Sequence, residues 1–449
     1  MSTRALPETI RTPRGPLNAV AVRGVLTLIC VGAAALWWTG LPALAGPGSV
    51  VTSLGELTGM LAGVLICAQI LLVARVPWFE DAVGLDRLVA WHRTLGTTVL
   101  LLTLTHVVLI VLGGSLVDRQ SVWSEFWSVT LPQPDVLTAV LGTGALFVVG
   151  ISSARLARRW LSYEAWYWVH TTTYVAVFLT FGHQIHAGAH LAGRGWAQLA
   201  WTALYLATAT AVIVYRMVLP LLAVLRHRVR VYAVVPETSS VTSVWLRGRH
   251  LDELAVQAGQ FFLFRFLARG HLGTAHPYSV SQLPASGLMR ITVGDLGDHS
   301  GRVRDIRPGT RVLLEGPFGT FTTRRAQGRK MLLVAGGAGI GPIRALADQL
   351  VAEGRDVVVL HRAPSVNELP LHRELVEHGA IRFVPVLGHR RDLPENPISP
   401  AALRSLVPDL RGREVFICGS PGLTAALTES LTALGVRRRH IHHEELSLS

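Results

Sequence analysis

The sequence predicts a multidomain protein in which a six-helix α transmembrane bundle precedes an antiparallel β-barrel and then an α/β domain with a parallel sheet. Three observations support this order. Long apolar runs crowd the first 225 residues of the 449-residue chain. Short segments of alternating polarity begin near residue 229, and strand–helix alternation begins at residue 331. Membrane-length apolar runs indicate spanning helices, period-two alternation indicates half-buried strands, and strand–helix alternation indicates a parallel sheet.

Six segments each approach the ~20 apolar residues that a bilayer requires. They are residues 20–40, 53–74, 89–112, 135–153, 163–186 and 197–222, within a predicted transmembrane domain at 20–225. Arginines cluster before the first, third and fifth segments and after the sixth. The loops that follow the first, third and fifth segments contain few arginines. The positive-inside rule therefore predicts a multi-pass cell-membrane protein with both termini in the cytoplasm.

The first 45 residues allow a second interpretation. An arginine-containing start, an apolar stretch and the sequence Ala43-Leu44-Ala45 also fit a cleaved signal peptide. The apolar run is long for such a peptide, so we expect a spanning helix preceded by a cytoplasmic segment at 1–19. The later helices have the same orientation under both interpretations.

Charge and cysteine content limit the classes of partner and cofactor. The net charge is +13, but no compact basic run with interleaved aromatic residues occurs, so we expect no nucleic-acid partner. Cys30, Cys67 and Cys418 are too few and too scattered for a four-thiolate iron–sulfur cluster. A one-electron centre in this chain must therefore use other ligands.

Two pairs of histidines lie inside the predicted spanning helices, where an imidazole is costly and needs a partner or a function. Fourteen residues at about 1.5 Å each place His92 and His106 about 21 Å apart, on nearly the same helix face. His170 and His183 lie about 19.5 Å apart by the same rise. Both helices run outward, so we expect His92 to pair with His170 near the cytoplasm. His106 is then expected to pair with His183 near the outer surface.

Paired imidazoles at two depths predict axial ligands for two stacked haems. Ligation by two histidines fills both axial positions and favours electron transfer. Buried structural histidines or a proton relay are the alternatives. A straight helix turns His170 and His183 to different faces, so the pairing requires a bend or bulge, or His186 in place of His183. His183, His186 and His190 also permit an outer metal site, although we favour a role for His186 and His190 where an electron acceptor approaches.

The second half of the chain contains two further domains. Five alternating segments, at 229–236, 240–248, 260–266, 288–294 and 311–316, predict a small antiparallel barrel at 226–328. Segments at 331–346, 356–362 and 414–420 predict a parallel α/β layer at 329–449. A barrel followed by an α/β layer is the domain order of flavin reductases.

Three motifs in this half indicate nucleotide cofactors. His276-Pro277-Tyr278-Ser279-Val280-Ser281 places an aromatic ring and hydroxyls on an edge strand, where they suit the ring and polar rim of FAD. Gly297-Asp298-His299-Ser300 offers backbone N–H groups and a hydroxyl to a pyrophosphate. The turn Gly336-Gly337-Ala338-Gly339-Ile340-Gly341-Pro342 joins a strand to a helix, where a dinucleotide phosphate can approach the helix N-terminus. Alone, such a turn is weak evidence, because glycine turns also simply connect strands to helices.

Together and in this order, these features resemble the ferric reductase/NADPH oxidase family, in which a ferric reductase-like transmembrane domain is fused to a ferredoxin–NADP reductase-type FAD/NAD(P) module. The resemblance extends from the first span to the end of the chain. It implies two b-type haems with His92, His106, His170 and His183 as the metal ligands. It also places Ser279 near the reactive flavin nitrogen.

The same resemblance assigns the nucleotide site. It places Gly336, Gly339 and Pro342 in the phosphate turn, and Cys418 and Gly419 beside the nicotinamide, where the thiol helps to orient hydride transfer. Arg362 follows the second strand of the α/β layer, and no acidic residue ends that strand. A base at this position suits the 2′-phosphate of NADPH, so NADPH is favoured and NADH remains open.

The predicted function is an NAD(P)H-dependent flavocytochrome oxidoreductase in the lipid bilayer. Electrons are expected to pass from cytoplasmic NADPH through FAD and two b-type haems to an outer small-molecule acceptor, which is a ferric chelate, dioxygen or a quinone. FAD is required because a nicotinamide gives two electrons together and haem accepts one. Two alternatives remain: a membrane-anchored flavin reductase with structural histidines and a cytoplasmic acceptor, and a six-span transporter with a regulatory nucleotide domain.

Overall fold

The computed structural model describes residues 19–41, 44–271, 275–388 and 396–445. The cytoplasmic segment predicted at 1–19 lies outside these ranges except for its last residue, and so does Ala43 of the alternative cleavage site. The chain forms two compact units that divide between Val218 and Leu219. The predicted boundary at residue 225 therefore falls inside the second unit.

The first unit is helical. Its helices are α1 (Ala19–Thr39), α2 (Pro47–Val73), α3 (Pro77–Val83), α4 (Leu85–Asp118), α5 (Val122–Thr130), α6 (Pro134–Ser153), α7 (Arg155–Arg158), α8 (Tyr163–Thr171), α9 (Thr173–His186) and α10 (Gly195–Ile213), which continues through a π-helical turn, Val214–Val218. Among the described residues, five helical segments are long and apolar enough to cross a membrane: Ala19–Thr39, Pro47–Val73, Arg87–Asp118, Pro134–Ser153 and Gly195–His227. These correspond to five of the six predicted spans.

The remaining predicted span, 163–186, is divided into α8 and α9. Thr171, Thr172 and Thr173 lie at the division, and each hydroxyl donates to the carbonyl three residues earlier, at 2.9, 2.7 and 2.6 Å. Such side-chain bonds compete with the regular backbone pattern, and three consecutive β-branched residues crowd the turn. The helix is therefore interrupted between His170 and His183, and the angular offset of a straight helix does not apply to them.

The second unit begins with α11 (Leu219–His227) and continues into a six-stranded antiparallel sheet. Its strands are β1 (Arg230–Pro236), β2 (Val241–Arg247), β3 (Phe261–Phe266), β4 (His276–Ala285), β5 (Leu288–Gly294) and β6 (Val312–Phe318), in the order β1-β2-β5-β4-β3-β6. The two outer strands approach each other at one isolated bridge, between Arg230 and Arg311. Alternate apolar side chains, including Phe262, Phe264 and Ile291, fill the interior. The short helix α12 (Asp298–Gly301) follows β5.

The rest of the second unit is a five-stranded parallel sheet with flanking helices. Its elements are β7 (Lys330–Gly336), α13 (Ile340–Ala352), β8 (Asp356–Ala363), α14 (His372–Glu377), β9 (Ile381–Leu387), α15 (Pro400–Leu406), β10 (Glu414–Gly419), α16 (Pro421–Ala433) and β11 (Ile441–Glu445). The strand order is β11-β10-β7-β8-β9. The carboxyl ends of β7, β8 and β10 lie side by side, where open α/β sheets bind ligands.

Candidate functional site

The structure brings together the two histidine pairs that spacing predicted. The ring centroids of His92 and His170 lie 6.0 Å apart, and those of His106 and His183 lie 6.4 Å apart. Helix α4 supplies one ring to each pair, whereas the partners come from α8 and α9. The interruption at Thr172 separates these two partners, so each is placed by its own helix.

Hydrogen bonds to α2 orient the two rings of α4. Nδ1 of His92 lies 2.9 Å from the carbonyl oxygen of Gln69, and Nδ1 of His106 lies 2.8 Å from that of Gly55. An imidazole that donates from Nδ1 to a carbonyl carries its proton there, which leaves the lone pair of Nε2 for a metal. Gly59 gives His106 its space, because a Cβ there would come within 2.5 Å of Nδ1.

These distances can be compared with those that a six-coordinate haem iron requires. Two metal–imidazole bonds of about 2.0 Å, together with the distance from each nitrogen to its ring centre, separate two ring centroids by roughly 6 Å. Both observed separations have this size. The donor set, two neutral imidazoles and no thiolate or carboxylate, is also that of a b-type haem with two axial histidines. The residues present therefore fit two haems.

Two further histidines near the outer pair contact carboxylates. Nδ1 of His186 lies 2.7 Å from Oδ2 of Asp135, and Nε2 of His190 lies 2.9 Å from Oε2 of Glu56. Neither carboxylate was among the predicted site residues, although Glu56 is the only acidic residue in the segment 53–74 and an acidic residue inside an apolar span is a functional signal. Within the described residues, no group of three or more His, Cys, Asp and Glu side chains is arranged to hold a metal ion.

The carboxylates also approach the rings of the outer pair. Glu56 is close enough to His106 to interact with it electrostatically, and Asp135 is close enough to His183. Each outer ring therefore has a carboxylate near it, and each carboxylate has a second imidazole as its partner. The two pairs therefore have different neighbours. Carboxylates lie near the rings of the outer pair, whereas His170 of the inner pair contacts Ser153 and Trp166.

The predicted flavin motif lies on β4, next to β3. Ser279 is opposite Phe261, Tyr278 is opposite Phe262 and Pro277 is opposite Leu263. The rings of His276 and Tyr278 are stacked, with centroids 6.1 Å apart. Within the described residues, the buried hydroxyl of Tyr278 has no hydrogen-bond partner, and burial raises the pKa of that phenol. A buried phenol without a partner is a donor that a bound flavin can satisfy.

The other hydroxyl of the motif has protein partners. Ser281 is fully buried, and its oxygen accepts hydrogen bonds from Nε of Arg290 at 3.1 Å and from the hydroxyl of Thr292 at 2.8 Å. Ser281 was expected at the polar rim of the flavin, but it connects β4 to β5. Arg290 also makes two bonds to the carboxylate of Glu374 on α14, at 2.5 and 2.9 Å. This arginine therefore joins the antiparallel sheet to the α/β layer.

The predicted pyrophosphate segment lies at α12. Gly297 precedes this four-residue helix, and Ser300 lies within it. The hydroxyl of Ser300 accepts from the backbone N–H of Leu296 at 2.9 Å and donates to the carbonyl of Gly297 at 3.1 Å. These bonds hold the turn in shape. The side chain of His299 lies outside the described part of the structure.

The glycine-rich turn connects β7 to α13 and requires glycine for two reasons. Gly337 has a left-handed φ of 54°. A Cβ on Gly339 would collide with the carbonyl oxygen of Cys418, so this glycine brings the turn against the end of β10. Gly336 ends β7, whereas Gly341 and Pro342 are buried in the first turn of α13. The predicted phosphate turn and the predicted nicotinamide segment therefore meet.

The antiparallel sheet reaches the same place. A Cβ on Gly341 would lie 3.4 Å from Cβ of Thr292, and one on Gly294 would lie 2.7 Å from Cβ of Ala338. Gly294 ends β5, and β5 pairs with β4, the strand of the flavin motif. The two nucleotide motifs thus lie on neighbouring elements of one compact unit.

Cys418 and Gly419 end β10 at this junction. The Cys418 side chain is fully buried, and burial, followed by the charge of Glu444, raises the pKa of its thiol. Cys418 therefore remains a neutral thiol at physiological pH. Gly419 lies against Gly336, since a Cβ on Gly419 would be 3.5 Å from the Gly336 backbone nitrogen.

Arg362 lies beside Gly336 in the β7–β8 ladder. Its guanidinium donates to the carbonyls of Ala363 at 2.9 Å and Val386 at 3.0 Å, and also to that of Gly388. The charge is thus present at the predicted ribose position and is held there by backbone oxygens. The preceding residue, His361, was not among the predicted site residues and is fully buried. Burial lowers the pKa of His361 to about 4, and the backbone of Gly337 opposes this shift only in part.

Known proteins resemble both halves of this arrangement. Residues 58–181 match the family described as ferric reductase like transmembrane component. A stretch of 238 residues is 26% identical to the glycine betaine monooxygenase reductase subunit of Chromohalobacter salexigens, over 49% of this chain and 64% of that protein. The ferredoxin reductase component of 3-ketosteroid-9-alpha-monooxygenase from Mycolicibacterium smegmatis is 30% identical over 228 residues, which cover 48% of this chain and 64% of that protein.

The chain thus spans less than two thirds of the length of these two relatives. Among solved structures, a ferredoxin reductase in carbazole 1,9a-dioxygenase is similar with a TM-score of 0.43 and 23% identity, over 49% of this chain and 69% of that one. The apolar helices and the match at 58–181 identify a multi-pass membrane protein, in which a segment similar to ferric reductase like transmembrane components precedes a module similar to ferredoxin-type reductases.

Proposed function

We propose that this protein is a transmembrane electron-transfer oxidoreductase that takes electrons from cytoplasmic NADPH and delivers them to an acceptor at the outer surface. One observation carries the proposal: the two histidine pairs have ring separations of 6.0 and 6.4 Å, as ligation of iron by both rings requires. When bound, FAD supplies the conversion of a two-electron hydride donor into single electrons, and two b-type haems supply one-electron carriers.

The histidines would hold the haems in a defined orientation. The carbonyls of Gln69 and Gly55 fix the tautomer and rotation of His92 and His106. Hydrogen bonds of this kind raise the basicity of a ligand and reduce its freedom to rotate. Helix α4 carries one histidine of each pair, and α8 and α9 carry the two partners. One pair would therefore lie at each of two depths in the bilayer.

The second unit would hold the two nucleotides. Tyr278 and Ser279 on β4 would contact the flavin, whereas Gly297, His299 and Ser300 would contact its pyrophosphate. The turn from Gly336 to Pro342 would bind the phosphates of the dinucleotide. The close approach of Gly339 to Cys418 supports a common site, because the glycine-rich turn lies beside the predicted nicotinamide segment.

NADPH is the preferred donor in this proposal. The positive charge of Arg362 lies next to Gly336 at the carboxyl end of β8, where the adenosine ribose binds in folds of this class. A guanidinium recognises a 2′-phosphate by charge-assisted hydrogen bonds, and NADH lacks this group. NADH remains the alternative donor, and the ratio of kcat/KM for the two nucleotides distinguishes them.

The acceptor is proposed to bind near the outer pair. His186, His190 and Arg194 lie in the part of the chain that follows His183, and the carboxylates of Asp135 and Glu56 pair with the two histidines. We retain a ferric chelate, dioxygen and a quinone as acceptor classes. Both termini are proposed to lie in the cytoplasm, in agreement with the distribution of arginines in the sequence.

An anaerobic optical spectrum of the detergent-purified full chain, before and after NADPH, tests the proposal. We expect haem and flavin absorbance in the purified protein, with both sets of bands changing on addition of NADPH. His106→Ala and His183→Ala should each remove one of the two haems. His186→Ala is the matched control, because this exposed imidazole is paired with Asp135 and should leave the haem content unchanged.

Two results would contradict the proposal. Flavin absorbance without haem in the unmodified protein would favour a membrane-anchored flavin reductase with structural histidines. Haem content that is unchanged by both alanine substitutions would show that these imidazoles do not ligate iron. Loss of haem together with a normal unfolding transition would attribute the effect to ligation, since the variant would still be folded.

A further inference from the structure

The second unit contains a pocket of about 590 Å³ that is lined by none of the residues proposed to bind a cofactor. Four arginines line it: Arg228, Arg230, Arg247 and Arg249. It lies where the chain leaves α11 and enters the antiparallel sheet. Four guanidinium groups around one cavity form a site of concentrated positive charge in this unit.

The backbone holds these arginines close together. Helix α11 ends at His227, and Arg228 follows in a left-handed conformation with φ of 46°. The N–H of Arg249 donates to the carbonyl of His227 at 2.7 Å, and Nδ1 of His227 lies 3.1 Å from the carbonyl of Arg249. The end of the helix is therefore fixed to the segment that follows β2 by bonds that do not involve the side chains of Arg228 or Arg249.

Like charges oppose each other across this end of the sheet. Arg230 on β1 is directly opposite Arg247 on β2. Directly opposed like charges on neighbouring strands are destabilising. Within the described residues, no carboxylate forms an ion pair with any of the four pocket arginines, whereas nearby Arg226 pairs with Glu253. An anion in the pocket would remove this repulsion.

Three of the guanidinium groups already have uncharged partners, and Nε of Arg228 donates to the carbonyl of Leu225 at 3.2 Å. The Arg247 guanidinium lies 4.0 Å from the centre of the Tyr232 ring, and Nη1 of Arg230 donates to the carbonyl of Gly309 at 2.9 Å. These contacts do not neutralise the positive charge of the arginines. They do restrict the side-chain rotamers, so a bound ligand would have less side-chain freedom left to restrict. Planar guanidinium groups bind phosphate oxygens through paired hydrogen bonds.

The pocket is separate from the proposed nucleotide site. Arg247 pairs with Leu288 at the start of β5, whereas Gly294 at the other end of β5 packs against Ala338 of the glycine-rich turn. A seven-residue strand at about 3.3 Å per residue separates the two ends by about 20 Å. A dinucleotide held by the turn therefore has a different set of contacts from those of the arginine pocket.

The position of the arginines in the chain indicates the source of the anion. Arg228 and Arg230 directly follow Gly195–His227, which is long and apolar enough to span a membrane. Basic residues next to a spanning helix lie at the level of the lipid headgroups and are attracted to anionic lipids by about 1 kcal/mol each. We propose that this pocket binds the phosphate of an anionic phospholipid headgroup.

Lipid binding to the detergent-purified full chain tests the proposal. Native mass spectrometry in a neutral detergent would count bound phosphatidylglycerol, with phosphatidylcholine as the zwitterionic comparison. We expect preferential binding of phosphatidylglycerol to the unmodified protein and at least a tenfold weaker affinity in the double variant Arg230→Gln/Arg247→Gln. The matched control, Arg373→Gln/Arg404→Gln, removes the same charge from exposed positions of the α/β layer and should bind as the unmodified protein does.

Further measurements separate the effect of charge from those of donor geometry and of unfolding. Arg247→Lys keeps the charge but loses the planar donor geometry, so an intermediate affinity is expected. Thermal unfolding of each variant, without lipid, verifies that the fold persists. Equal phosphatidylglycerol affinity in the pocket and control variants would overturn the proposal. So would inorganic phosphate that protects the protein against unfolding as well as short-chain phosphatidylglycerol does at the same concentration, since this would identify a site for free phosphate.

Discussion

Nδ1 of His106 lies 2.8 Å from the carbonyl oxygen of Gly55, so that a side chain of α4 is held by the backbone of α2. This carbonyl is one turn from Gly59, whose missing side chain makes room for the same ring. The orientation of a proposed haem ligand is therefore determined on a helix that supplies no ligand itself. Substitutions on α2 should change the haem environment while every proposed iron ligand is retained.

Gly59→Ala tests this dependence. Its Cβ would lie 2.5 Å from Nδ1 of His106, so the ring must rotate or move. We expect loss or spectral change of one of the two haems in the purified full chain, measured by pyridine haemochrome content and the reduced spectrum. Gly144→Ala is the control, since its Cβ has no neighbour within 4 Å. An unchanged spectrum in Gly59→Ala would show that the space left by Gly59 does not govern the position of the ligand.

The outer carboxylate–histidine pairs should affect delivery of electrons to the acceptor. His190→Ala removes the 2.9 Å contact between these residues and Glu56→Gln removes its negative charge, whereas the four proposed iron ligands remain. We expect slower reoxidation after a pulse of acceptor, by roughly tenfold if the pair positions it, with an unchanged rate of haem reduction by NADPH. Stopped-flow absorbance measures both rates. Equal reoxidation rates in variant and unmodified protein would remove the outer histidines from the acceptor site.

The contact between Arg290 and Glu374 should make stability depend on pH. Burial raises the pKa of Glu374, but the hydrogen bonds and charges of Arg290 and Arg344 outweigh this effect, and the net pKa is lowered. A lowered carboxyl pKa contributes stability above its ordinary value, near 4.5, which is lost as the pH falls through the folded value. The contribution is on the order of 1 kcal/mol because the carboxylate is partly exposed.

Glu374→Gln should therefore lower the melting temperature at pH 7 and reduce the loss of stability on acidification. Glu377→Gln on the same helix is the control, because that side chain is exposed and forms no ion pair within the described residues. Thermal unfolding of the full chain across the acid range measures the difference. Parallel pH profiles for the two variants would show that the contact contributes little.

The buried thiol of Cys418 should be unreactive in the folded protein. Burial raises its pKa, so the thiolate that alkylating reagents attack is scarce at neutral pH. We expect iodoacetamide to modify Cys418 only after unfolding, as peptide mass spectrometry would show. Cys418→Ala should lower kcat for NADPH-dependent reduction of a soluble acceptor about tenfold with little change in KM, because a missing side chain at the nicotinamide misplaces the reacting atoms. Rapid modification of the folded chain would contradict this placement.

Much of the fold was predictable because its elements have strong local patterns. Apolar runs of membrane length predicted six spanning helices, of which five are long and apolar enough to span, and alternation predicted most strands of the second unit. The predicted span at 163–186 differs, because the hydroxyls of Thr171, Thr172 and Thr173 compete with backbone bonding. Hydropathy depends on the length of an apolar segment and contains no information about these side-chain bonds, so it did not predict the interruption.

The sequence by itself determined that His92 and His106 lie at two levels of one helix, since rise per residue follows from helix geometry alone. It also determined where glycine was needed between β7 and α13. Only the tertiary structure decided that Gly55 orients His106, that Ser281 binds Arg290, and that Arg230 lies opposite Arg247. Each of these contacts joins residues from different elements, and contacts of this kind depend on packing and strand register, which local sequence patterns do not specify.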